Sequence, residues 1–78
     1  MKIQILGSGC ARCNQLRENA EAAARELGLQ YEIEKITDFR EIARMGALVT
    51  PALAVDGKLK LVGKVAGPEE IKPLLEAS

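Results

Sequence analysis

The chain has 78 residues, 47% of them hydrophobic and 28% charged, with eleven Lys and Arg balanced by eleven Asp and Glu. A neutral total and only Tyr31 and Phe39 as aromatics leave little with which to hold nucleic acid by charge or base stacking. No apolar run approaches the ~20 residues of a membrane helix. The length predicts one small domain over residues 1–78 with a modest core. Met1-Lys2 lacks the basic region, long apolar segment and small-residue cleavage site of a secretory signal, so a cytoplasmic location is expected.

In chain order, residues 2 to 6 read as a strand whose imperfect alternation suits a central position covered on both faces. Gly7-Ser8-Gly9 breaks it. An amphipathic stretch opens at Cys10-Ala11-Arg12-Cys13 and reaches Leu27, with Cys13, Leu16, Ala20, Ala23 and Leu27 on one face. Glu21 and Arg25 form an i,i+4 pair on that helix, and Gly28 is its natural stop. Leu29 to Ile36 alternates apolar and polar residues, which predicts a strand with one wetter side, at an edge. Asp38 and Glu41 resemble a capping box that opens a short helix through Phe39, Ile42, Ala43 and Met45 to Gly46.

Ala52 to Val55 and Lys58 to Val62 flank Asp56-Gly57, a type I′ hairpin signal because that turn needs positive φ at both central residues. Lys58 and Lys60 alternate with Leu59 and Leu61, so the last strand shows one side to water. Pro68, Glu69 and Glu70 mark the start of a final helix. Pro73 should kink it or restart it, since an interior proline costs ~3 kcal/mol. The order β-α-β-α-β-β-α, with a parallel crossover and an antiparallel hairpin, gives an α/β fold with a mixed four-stranded sheet. The first and third helices share one face of it, and the short second helix takes the other.

Cys10 and Cys13 are the only cysteines. In a cytoplasmic protein a CxxC pair is more often catalytic or metal-binding than a permanent staple. A helix N-terminus offers unpaired N–H groups and partial positive charge, which stabilise a thiolate. Three-residue spacing on a helix brings two sulfurs together. CxxC thiols ionise with pKa values of ~3.5 to 7.5, against ~8.5 for an ordinary cysteine. A pair of this kind can trade disulfide bonds through a mixed disulfide.

Gly7-Ser8-Gly9-Cys10-Ala11-Arg12-Cys13 and Val49-Thr50-Pro51-Ala52, with the Asp56-Gly57 hairpin, resemble the thioredoxin and glutaredoxin superfamily. The closest resemblance is to its small redox-active disulfide proteins, over nearly the whole chain. The dipeptide between the cysteines, Ala11-Arg12, differs from the Gly-Pro of thioredoxins and the Pro-Tyr of glutaredoxins. A single Gly63 followed by Lys64-Val65-Ala66 stands where glutaredoxins carry a Gly-Gly and an acidic residue for glutathione. No counterpart to thioredoxin's buried carboxylate can be picked out, although Glu34 and Lys35 are candidates to approach the pair.

The resemblance implies a thioredoxin-like fold and a thiol–disulfide oxidoreductase that reduces protein disulfides. It implies Cys10 as the attacking thiolate and Cys13 as the resolving thiol. Thr50 and Pro51 then bind substrate by strand-like pairing across a cis bond, with Arg12 at the rim and Gly63 bordering the same groove. It implies no bound cofactor, electrons from a flavin-dependent thioredoxin-reductase-type partner, disulfide-containing protein substrates and a monomer. The competing reading is a soft-metal module for Cu(I) or Zn, or a metallochaperone, like the heavy-metal-associated domains. Those also place CxxC after their first strand, but usually carry Met before the pair and run β-α-β-β-α-β. Two cysteines without histidine cannot close a four-ligand zinc site within one chain.

Overall fold

A computed structural model describes residues 1–7 and 11–77. The elements are β1 (Lys2–Leu6), α1 (Ala11–Glu26), β2 (Glu32–Ile36), α2 (Phe39–Arg44), β3 (Ala52–Val55), β4 (Lys58–Val62) and α3 (Pro68–Glu76). The strands lie in the order β2-β1-β3-β4. β1 runs parallel to β2 and antiparallel to β3, and β3 runs antiparallel to β4. The mixed α/β sheet with three helices is therefore as expected, with β1 central and β2 at an edge.

Strand alternation assigns each apolar side chain to a face. Ile3 and Ile5 of β1 and Leu53 and Val55 of β3 join Leu16, Ala20, Ala23 and Ala24 of α1 and Ile71 and Leu75 of α3 in the main core. Leu6, Ala52 and Ala54 lie on the opposite face with Ile42 of α2 and Ala47. Burying a Leu or Ile side chain stabilises by ~1.5–3 kcal/mol, so the larger cluster carries most of the hydrophobic contribution. The alanines on the second face let the short α2 segment lie close to the sheet.

The second strand is shorter than the alternation from Leu29 predicts, because the preceding helix takes the backbone first. The Gly28 N–H donates to the Arg25 carbonyl (3.0 Å) and the Leu29 N–H to the Ala24 carbonyl (3.0 Å), the paired bonds of a Schellman cap. Strand pairing begins only at Glu32, whose N–H reaches the Met1 carbonyl at 2.9 Å. Leu29 and Tyr31 still pack on the core. Glu21 turns to Arg17 (3.4 Å), while Arg25 donates to the Glu21 backbone carbonyl. The capping box at α2 is half made. Asp38 accepts from the Arg40 N–H (2.9 Å), but Glu41 pairs with Arg44 at 2.8 Å.

The hairpin turn has φ of 50° at Asp56 and 82° at Gly57, as the type I′ reading requires. Its second strand departs from simple alternation. Leu53 faces Leu61 and Ala54 faces Leu59, with a register shift between them, which makes Lys60 the extra residue of a bulge. The two leucines therefore part: Leu61 packs on the α1/α3 side and Leu59 on the α2 side. Deleting Lys60 should leave both on their present faces, giving a cooperative urea transition with the native slope; a lost or shallower transition would contradict the bulge.

α3 runs as one helix from Pro68 to Glu76, with Pro73 inside it and no restart there. Pro73 cannot supply the N–H that would reach the Glu69 carbonyl. The helix is tied instead by its side chains and its buried face. Lys72 Nζ donates to Glu69 Oε1 (3.0 Å) and to Glu26 Oε1 of α1 (3.1 Å). The hydrogen bonds from Lys72 to Glu69 and then Glu26 raise the lysine above its ordinary value of 10.5. A raised lysine pKa adds stability that is complete below the unfolded value and is lost as pH climbs through the folded one. Lys72→Met should therefore melt below the native chain at neutral pH, with the gap closing above pH 10.5 in paired thermal melts.

Candidate functional site

The site forms at the C-terminal end of β1. Past Leu6, the Gly7 N–H donates to the Ile36 carbonyl at 2.9 Å, which carries the β1–β2 pairing one residue beyond the strand. By alternation Gly7 faces α1, and it is buried. α1 begins at Ala11, so Cys13 occupies its third position and sends its side chain toward the sheet, 4% exposed. Its Sγ lies where a Cβ on Gly7 would be. The same Cβ position is 3.5 Å from Cys13 Cβ and 3.8 Å from Thr50 Cβ. Gly7, Cys13 and Thr50 thus meet at one point, although they come from three separate segments.

Thr50 is joined to Pro51 by a cis peptide bond. Pro51 is fully buried, and its carbonyl accepts the Gly63 N–H at 2.8 Å. Gly63 has φ of +72°, and a Cβ there would lie 3.0 Å from Val49 Cγ1 and 3.3 Å from Val49 Cβ. Glycine suits this position twice, for its left-handed backbone and because a Cβ there would press on Val49. The end of β4 is in this way fastened to the segment that carries Thr50 and Pro51.

Of the residues singled out from the sequence, Cys13, Thr50, Pro51 and Gly63 fall in this one neighbourhood. Arg12 is exposed in the first turn of α1. Cys10 lies outside the described residues. Among the residues of that turn, Ala11 to Asn14, none is acidic, so the turn carries no carboxylate of its own against the positive end of the helix dipole. The two charged candidates for approaching the pair separate by face. Lys35 donates to Asn14 Oδ1 (3.4 Å), beside Cys13 in sequence. Glu34 belongs to the other face, accepting from Gln4 at 3.1 Å and pairing with Lys2 at 3.9 Å.

Two features of the site escape a reading of the sequence. Gly7 looks like part of a glycine-rich break, and only the contact with Cys13 reveals what its size does. Leu48 and Val49 are 90% and 56% exposed, leaving apolar surface directly before Thr50. The signal for these two was the placement of adjacent large apolar residues in a loop, outside any helix or strand period.

The element order with a closing helix is not that of the heavy-metal-associated domains. The family model described as a thioredoxin domain matches residues 1–76. The chain belongs to the thioredoxin family. It is 52% identical over 75 residues to a thioredoxin of Methanothermobacter thermautotrophicus, an alignment that covers 96% of this chain and 97% of the relative. It is 45% identical over 75 residues to a thioredoxin of Methanocaldococcus jannaschii, covering 96% of this chain and 86% of that protein. Membership at this identity over nearly the full length makes the chain a thiol–disulfide oxidoreductase.

The contact between Gly63 and Val49 yields a test of how the Thr50-Pro51 segment is held. Gly63→Ala should cost about 1–3 kcal/mol, combining left-handed strain with overpacking. Adding Val49→Ala should recover only the part due to Val49 Cγ1, leaving the left-handed strain and the Cβ contact. Urea denaturation of the two single variants and the double variant measures both contributions.

Proposed function

We propose that this thioredoxin-family chain is a cytoplasmic protein-disulfide reductase, acting as a single domain over residues 1–78 and as a monomer. Cys10 and Cys13 cycle between dithiol and disulfide. Cys10, as thiolate, attacks one sulfur of a substrate disulfide; a Cys10–substrate bond forms, and the second substrate sulfur leaves with the electron pair and takes up a proton. Cys13 then attacks the Cys10 sulfur, closing the Cys10–Cys13 disulfide and releasing the first substrate sulfur as a thiol. Two electrons pass from the protein to the substrate.

The observation that carries this reading is the placement of Cys13. Its sulfur is buried on Gly7 beside Thr50, withdrawn from direct contact with a bulky protein substrate. That suits a resolving thiol and leaves attack to Cys10. The first turn of α1 favours negative charge, which supports a thiolate there. Exposed Leu48 and Val49 suit an extended apolar segment of a protein substrate, whose backbone pairs with that of Thr50 ahead of Pro51. Arg12 and Gly63 border the same groove.

Both electrons reside on the sulfur pair, so the chemistry requires no bound cofactor. A flavin-dependent, thioredoxin-reductase-type protein returns the pair to the dithiol. Among the described residues no helix is long and apolar enough to cross a membrane.

Insulin reduction with dithiothreitol as electron source tests the proposal. Cys10→Ser should fall to the uncatalysed background. Cys13→Ser should still attack and then remain bonded to its substrate, visible as a covalent adduct by mass spectrometry. Native turnover by Cys10→Ser would end the reading.

A further inference from the structure

Gly7 is buried at the site, yet no feature of its backbone calls for glycine. It is not among the residues with positive φ. Any L-residue could adopt its conformation; what excludes one is the Cys13 sulfur, which occupies the place of a Cβ. The contact has little room to relax. The Gly7 N–H is anchored to Ile36, and Cys13 belongs to a helix whose next inward residues, Leu16 and Ala20, are wholly buried. Cys13 lies in the first turn of α1, and its first torsion is confined to a few staggered rotamers. A methyl group on Gly7 therefore either turns the Cys13 sulfur to another rotamer or lifts the start of α1 off the sheet.

We infer that Gly7 is a positioning residue for Cys13: its bare Cα selects the rotamer from which Cys13 resolves the mixed disulfide. This rests on the assignment of Cys13 as the resolving thiol. In the step concerned, the Cys13 thiolate bonds to the Cys10 sulfur as the Cys10–substrate bond breaks. The electron pair departs on the substrate sulfur, which is protonated. The cysteine pair is oxidised and the substrate reduced. Attack by Cys10 on the substrate does not involve the Gly7 contact, so the two steps should respond differently to a change at this position.

A symmetric aromatic disulfide, 5,5′-dithiobis(2-nitrobenzoate), separates them, because one coloured thiolate is released on attack and a second on resolution. In stopped-flow absorbance the first phase of Gly7→Ala should stay within about twofold of native, and the second should slow roughly 10- to 100-fold, the sensitivity expected of a sulfur displaced by about 1 Å. Equal, native-like phases in a folded Gly7→Ala protein would overturn the inference. A chain that released no second equivalent even with native Gly7, or whose Cys10→Ser variant released its single equivalent at the native first-phase rate, would instead remove the assignment of the two cysteines. Should Gly7→Ala fold poorly, a stability cycle with Cys13→Ala decides. Recovery of the urea midpoint in Gly7→Ala/Cys13→Ala supports the contact, and an equal loss with and without the sulfur overturns it.

Discussion

The sulfur of Cys13 rests on the bare Cα of Gly7, and much of the molecule is arranged so that this contact can form. A strand must end where a helix begins, the helix must lie low on the sheet, and a third segment must close the side. β1 supplies the first condition by pairing on both edges, with Gly7 extending its ladder to Ile36. The run of small residues Ala20, Ala23 and Ala24 on the inner face of α1 supplies the second, because a helix with short side chains packs close to its sheet. Thr50, delivered by the loop before β3, supplies the third.

The two faces of the sheet divide the labour. One holds most of the larger buried aliphatic side chains between the strands and the α1/α3 pair. The other is thinner, covered by one short helix and continued by a polar group in which Gln4 accepts from the Gly57 N–H (2.8 Å) and donates to Glu34. This division bears on chemistry as well as stability. Glu34 is kept on the face away from α1, while Lys35, one residue later, reaches the first turn of α1. Alternation along a single strand thus sends the carboxylate away from the cysteine end of the helix and the ammonium toward it.

The Thr50-Pro51 segment is held from beneath by burial and from the side by Gly63. The Pro51 carbonyl takes the Gly63 N–H, and Val49 fills the space a side chain at 63 would need. Such a clamp keeps the Thr50 backbone in place while Leu48 and Val49 stay open to solvent. The segment thus combines a backbone anchored at Pro51 with exposed apolar side chains beside it.

Element order, the hairpin turn and the helix stops were legible in the sequence because each depends on neighbours within a few residues. Examples are Gly28 after the α1 period and Asp56-Gly57 between two apolar runs. The cysteine pair was legible for the same reason, as a short motif at a strand–helix junction. Readings failed where two local preferences competed or a distant group intervened. Leu29 alternates like a strand residue, but its N–H caps α1. Leu59 and Leu61 alternate with lysines, yet a bulge opposite β3 sends them to opposite faces. Glu41 fits a capping box but pairs with Arg44. By itself, then, the sequence determined the order of strands and helices, the turn chemistry and the presence of two thiols, all set by backbone preference and short-range periodicity. Only the tertiary structure decided that Gly7 and Thr50 enclose Cys13, that Gly63 clamps Pro51, and that Glu34 and Lys35 part company. These are packing relations between segments far apart in the chain, and no local pattern encodes them.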